Sequence, residues 1–239
     1  MKAQSALEFM TVVALGLILI SIASFFGVDY ITSYFTDINS INARQTIESL
    51  VSAINLVYAQ GVGAQTKVFV TLPNGIQRSN SYISGNQINI RFSDGVERDV
   101  FRTTNLRVLG TLPLNPGRTP MIVKMESIGA VIGIAEHDVC FIYALTYSDS
   151  SYNNIEDNFS VGSTVYYLIY LEDVNGNSVD SNLNIKIYNP QREVFIDFNT
   201  STTNGYYNGS FVPNAAGDWL ISALNIDTNV VGTALINVT

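Results

Sequence analysis

Residues 9–28 read FMTVVALGLILISIASFFGV, twenty residues without a formal charge, and no other feature constrains the fold as strongly. Such a run is long enough to cross the roughly 30 Å hydrocarbon core of a bilayer as a helix. One carboxylate, Glu8, stands at its mouth, where an acidic side chain is costly to dehydrate unless something pairs with it. The helical pattern then continues. Ile38, Ile41, Ile47, Leu50, Val51, Ile54, Val57 and Tyr58 recur mostly at threes and fours, the spacing of an amphipathic face. No proline falls between Phe9 and Gln60, and Gly61-Val62-Gly63 follows, as glycine commonly does just past a helix. The spacing predicts one helix over Gln4–Gln60, apolar all round in its first half and amphipathic in its second.

Beyond it the period changes. Lys67–Leu72 and Gln87–Phe92 alternate, Asn74-Gly75 and Asp94-Gly95 carry hairpin-turn chemistry, and Met121–Met125 and Val131–Ile134 flank a turn at Gly129. These signals predict an antiparallel sheet of about four to six strands over 63–136, with the amphipathic part of the helix as its cover. Seven further runs follow: Val139–Tyr147, Thr164–Glu172, Leu183–Tyr188, Glu193–Phe198, Gly205–Val212, Trp219–Ile226 and Val230–Val238. That number of short strands in about 100 residues predicts an immunoglobulin-like sandwich over 137–239. The expected class is therefore α+β: a long helix (4–62) packed on an antiparallel head, then an all-β sandwich, after a three-residue leader (1–3).

Charge supports a boundary near residue 136. Residues 64–135 carry eight basic and four acidic groups, whereas residues 136–239 carry two basic and twelve acidic ones. The net charge of -8 argues against nucleic acid, which requires clustered Lys and Arg. Cys140 is the single cysteine, so no intrachain disulfide forms.

The start of the chain carries the sharpest motif. A tiny basic leader, Met1-Lys2-Ala3, precedes Gln4-Ser5-Ala6-Leu7-Glu8-Phe9 and then the apolar run, the reverse of a secretory signal with its cleavage site after the apolar stretch. Through Gln4, Ser5, Glu8 and Phe9 the sequence resembles the archaeal type IV pilin family with a class III signal peptide. The resemblance covers about the first 30 residues. It implies recognition of Lys2, Ser5, Glu8 and Phe9 by a prepilin peptidase and cleavage between Ala3 and Gln4. The family commonly has glycine where Ala3 stands; small size is kept. It further implies that Glu8 serves assembly, neutralising the new α-amino group of a docking neighbour. A charge pair in low dielectric fixes register, whether or not it stabilises relative to an apolar replacement. The plainer reading of Glu8 is a signal-anchor helix whose carboxylate snorkels to the membrane surface.

Weaker signals lie in the acidic part. Sequons occur at Asn158, Asn199, Asn208 and Asn237, candidate N-glycosylation sites of a surface protein. Asp173, Asn175, Asn177 and Asp180 alternate as in a calcium loop, but Ser178 replaces the required glycine and no glutamate closes it, so an Asn-Gly turn is expected. Glu136, His137, Asp138 and Cys140 are too few for a zinc centre and are read as a domain junction. The many tyrosines of 143–207 are expected mainly to pack a core, with any exposed ones suited to adhesion. No catalytic constellation, cofactor or metal site is expected. The chain thus reads as a non-enzymatic surface protein: membrane-held before assembly, self-associating into an extracellular adhesion filament and displaying its β domain toward a surface or glycan ligand. The competing expectations are a membrane-anchored protein that never polymerises and a minor or tip subunit.

Overall fold

The computed structural model describes residues 2–93, 97–135 and 139–239, with the side chains of 2–8 and 26–36 outside the description. Helix α1 runs Lys2–Gln60, and the chain divides into two compact units, Met1–Asn39 and Ser40–Thr239.

The first unit is helix alone. Its described apolar side chains point outward: Phe9, Met10, Val12, Leu15, Leu17 and Leu19 are each more than half exposed. Among the described residues no helix is long and apolar enough to cross a membrane. Of the twenty-residue span expected over 9–28, the last three side chains lie outside the described residues.

The second unit holds fifteen described strands: β1 (Gln65–Leu72), β2 (Tyr82–Ser84), β3 (Gln87–Ser93), β4 (Glu97–Thr103), β5 (Val108–Pro113), β6 (Gly117–Glu126), β7 (Gly129–Ile134), β8 (Phe141–Tyr147), β9 (Asn158–Phe159), β10 (Val165–Glu172), β11 (Asn182–Tyr188), β12 (Val194–Ser201), β13 (Tyr206–Phe211), β14 (Gly217–Asn225) and β15 (Val230–Val238). Eight of them follow the order β1-β6-β7-β5-β15-β14-β11-β12, with β9 added beside β15. One face of this sheet is covered by a three-stranded sheet, β13-β10-β8. Ile142 and Ala144 of β8, Ile169 and Leu171 of β10 and Phe211 of β13 share a core with Ile185, Trp219, Ile221 and Ile236. Such face-to-face packing of alternating strands is an immunoglobulin-like β-sandwich. Two glycines admit β8 to the sheet: a Cβ on Gly133 would fall 2.4 Å from the Phe141 ring, and one on Gly232 2.4 Å from Ile142 Cγ2. The opposite face receives the second small sheet, β2-β3-β4, with Ile83 N donating to Thr233 Oγ1 at 3.1 Å and Leu235 N to Ser84 Oγ at 2.9 Å. From Ser40 onward α1 adds Ala43, Ile47, Leu50, Ile54 and Val57 to the core that contains Val70, Leu72, Met121 and Val123.

The α+β expectation is overturned. The fold is mostly β, residues 1–39 are a unit of their own, and the remaining residues do not separate into a head and a sandwich. The main sheet runs straight through the expected boundary, because β5 pairs with both β7 and β15. Every residue of β5 and of β7 is buried; strands apolar on both faces belong inside a sheet, not at the rim of a small one. The β5–β7 ladder is parallel, so the sheet is not purely antiparallel either. Asn74-Gly75 does not close a hairpin: β1 pairs with β6, and Gly75 O instead accepts from Ser93 N at 3.0 Å. The expected turn at Asp94-Gly95 lies outside the described residues.

Candidate assembly and display surfaces

The start of the chain is helical from Lys2. The side chains of Lys2, Ala3, Gln4, Ser5 and Glu8 lie outside the described residues. Phe9 is exposed.

All four sequon asparagines are exposed and on strands. Asn158 on β9 and Asn237 on β15 are register partners, a proximity that their wide separation along the chain conceals. The Asn237 amide donates to Asp218 Oδ1 at 3.1 Å, and Asn199 Oδ1 accepts from Asn184 Nδ2 at 2.9 Å. Asn208 stands on β13, an edge strand of its sheet.

The tyrosines divide between packing and display. Tyr143, Tyr147, Tyr167 and Tyr188 are buried. Tyr143 leads into a ladder, stacking on Tyr170 with ring centroids 5.6 Å apart, which in turn stacks on the exposed Tyr206 at 4.3 Å. An ionic network roots this ladder. Lys124 Nζ lies 2.5 Å from Glu126 Oε1, 3.1 Å from Glu172 Oε2 and 4.2 Å from the Phe141 ring centroid. The Tyr143 hydroxyl lies within hydrogen-bonding distance of both carboxylates, 2.9 Å from Glu126 and 3.0 Å from Glu172. Burial, and then the two adjacent carboxylates, push its ionisation far above that of an ordinary phenol. Burial likewise raises Tyr170 to about 12. The arrangement fixes β8 and β10 to β6 and leaves an aromatic face beyond them.

Sequence reasoning missed Arg78. In the connection from β1 to β2, its Nε donates to Ser222 Oγ at 2.7 Å, Nη1 to Asn184 Oδ1 at 2.5 Å, and Nη2 to Asn184 O and Ser222 O at 2.6 and 2.7 Å. Burial lowers its guanidinium to about 10. An isolated arginine among Ser and Asn gives no local signal of such a role, since its partners lie 106 and 144 residues away.

The calcium-like stretch is a side-chain-braced turn. Asp173 Oδ2 accepts from Asn177 Nδ2 at 2.9 Å, and Oδ1 from the backbone amides of Asn177 and Asn175, each at 2.8 Å; these bonds, the Asn177 side chain first, hold the carboxyl below its usual range. The chain reverses there with Glu172 bridged to Ser178. Glu136, His137 and Asp138 lie outside the described residues, and Cys140 is buried. Among the described residues no group of three His, Cys, Asp or Glu is placed to hold a metal.

Among the described residues the main sheet ends in β1 and β12, each paired with a strand on one side only; at the end of β1, Thr71 O also accepts from Thr46 Oγ1 of α1 at 2.7 Å. Beside β1 opens a groove of about 580 Å³, lined by Glu48, Ser49, Ser52, Leu56, Thr66 and Val68.

No family model matches the chain, and no curated protein matches it. Among solved structures it is similar to native Escherichia coli alpha-2-macroglobulin (10% identity, 74% of this chain against 15% of that one, TM-score 0.37). It is similar to the CARDB domain of a Pyrococcus furiosus protein in complex with di-metal ions (15% identity, 41% and 87% covered, TM-score 0.27). It is also similar to fibronectin(III)-like modules of Clostridium thermocellum CbhA (11% identity, 73% and 94% covered, TM-score 0.26). These likenesses concern β-domains only, and no activity or ligand passes from them to this chain.

Proposed function

We propose that the chain is a structural subunit of an archaeal type IV-like surface filament, assembled through its N-terminal helix and displaying its β domain for adhesion. The observation that carries this reading is the exposure of residues 9–25. Every residue of that stretch except Gly16 is exposed on a continuous helix, directly after the Gln4-Ser5…Glu8-Phe9 motif. A contiguous apolar surface of this kind requires a partner surface. Copies of the same helix supply one: each apolar stretch covers its neighbours, and the cut chain's Gln4 amine meets Glu8 of the adjoining copy. Before assembly the membrane covers the same residues. A prepilin peptidase cutting between Ala3 and Gln4 makes the amine available. The sequons Asn158, Asn208 and Asn237 and the Tyr206 ladder then belong to the outer surface, where glycans and adhesive contacts are made.

The test is N-terminal mass spectrometry of the protein from its native cell surface, with and without the prepilin peptidase. A mature chain beginning at Gln4, lost in the deletion, is the expected result. A chain still beginning at Met1 or Lys2 in both strains replaces the filament reading with that of a fixed membrane anchor. Copy number in isolated filaments then separates a major subunit from a minor or tip one.

A further inference from the structure

We propose that the two open edges of the main sheet join between copies, β12 of one chain adding antiparallel to β1 of the next. The inference rests on the filament reading only for the supply of copies at high local concentration.

Both edges are eight-residue strands. Open edges of that length template pairing with another chain unless something blocks it. Here each edge carries one ionisable side chain within its strand, of opposite sign: Lys67 on β1 and Asp197 on β12. Around Lys67 the β1 edge is cationic, with Arg118 4.6 Å from the exposed Phe69 ring. Asp197, within the acidic half of the chain, accepts from Asn184 Nδ2 at 2.8 Å and pairs with Lys186 at 3.1 Å. Like charges opposite one another destabilise a strand pair, whereas opposite charges favour it. A β1–β1 or β12–β12 contact therefore repels, and a β1–β12 contact attracts. The same two residues block the symmetric pairings and permit the unsymmetric one.

The faces of the sheet select the direction. Cross-strand partners place Lys67 with Ile122 and Gly133; the β5–β7 register, in which Gly110 partners Ile132, sets Thr111 on the same face as Gly133 when extended by one residue, and the partners continue through Gly232, Ala223 and Ile185 to Phe198. Asp197, one residue from Phe198, stands on the other face with Lys186 and Ser222. A copy added without turning over leaves the two charges on opposite faces. A copy turned over brings them to the same face and makes the added ladder antiparallel, because β1 and β12 run in the same direction within one sheet. With Lys67 opposite Asp197, Thr66 and Val68, which line the groove beside β1, stand opposite Phe198 and Ile196. The groove thus meets the partner's partly exposed apolar side chains. An unsymmetric contact of this kind repeats without closing.

The test uses the full chain in its native surface fraction, with Gln65→Cys and Asn199→Cys, the positions that face each other in this register. Mild oxidation is expected to give a ladder of multiples from the double variant, only dimers from a mixture of the two single variants, and monomers from either single variant alone. Dimers from Gln65→Cys alone overturn the proposal. So does the absence of cross-links in preparations that still contain filaments, while leaving the filament reading intact. A ladder without filaments keeps the edge contact and removes the filament reading. In the same double-cysteine background, Lys67→Asp is expected to lower the ladder yield several-fold and Asp197→Lys to restore it; equal yields in all three chains overturn the charge pairing.

Discussion

Two stretches of the same helix meet opposite fates. Residues 9–25 are apolar around the whole circumference and exposed; residues 43–57 are apolar on one stripe, and Ala43, Ile47, Leu50, Ile54 and Val57 are fully buried. Hydrophobicity alone does not separate them. A stripe matches one sheet face, so the chain can bury it within itself, whereas a cylinder that is apolar all round needs apolar neighbours on every side. The first stretch is built for contacts this single chain does not supply.

The strongest way to break that contrast is truncation in both places. Leu50→Ala removes atoms from a filled core and is expected to cost about 2–5 kcal/mol in chemical unfolding of residues 40–239. Leu17→Ala is expected to leave that transition unmoved while reducing filament yield. If Leu17→Ala lowers the stability of the β unit as much as Leu50→Ala does, the contrast is false. Gly232→Ala, with no room for its methyl beside Ile142, is expected to cost about 1–3 kcal/mol, which tests whether β8 is seated as closely as the glycines imply. Arg78→Ala leaves Asn184 and Ser222 acceptors without their donor and is expected to cost about 1–3 kcal/mol; both losses are read by the same unfolding curves.

Titration sharpens the distinction between the tyrosine network and the surface. Tyr143 and Tyr170 ionise at higher pH in the folded state than an ordinary phenol. The folded chain therefore holds protons that the unfolded chain loses, and stability falls as pH rises from about 10 toward the folded values. Tyr143→Phe is expected to flatten that alkaline loss in denaturant curves taken across the range; an unchanged slope rejects the network as its source. The exposed pair Arg102–Glu48, 3.4 Å apart, stands at the small end: Glu48→Gln is expected to change stability by less than about 1 kcal/mol.

Strand positions were largely legible, because alternation is local. All seven runs of the acidic half became strands, as did Lys67–Leu72, Gln87–Phe92, Met121–Met125 and Val131–Ile134. Partnership was not legible. The boundary near residue 136 was inferred from charge, which is a property of surfaces, whereas the β5–β15 ladder is made by Thr111, Leu112, Val230 and Val231, all buried and uncharged. Gly-Val-like strands buried on both faces fit several sheet positions equally well, so pattern cannot choose between them. Arg78 was invisible for a related reason, since its partners meet it only after the sheet has formed. Of the candidate surfaces, the sequons could be read directly, but the pairing of Asn158 with Asn237 and the two open edges depend on topology alone.

The place of β15 has a consequence for the order of synthesis. It is the last of the described strands, yet it lies between β14 and β5 in the interior of the main sheet. While residues 230–238 are still unmade, β5 and β14 each lack a neighbour, and the two halves of the sheet have no strand to join them. The β unit therefore closes only after essentially all of it has been translated. Until then the strands already made cannot settle into one sheet, and the facing edges of β5 and β14 stay unpaired, templates for any other strand that reaches them first.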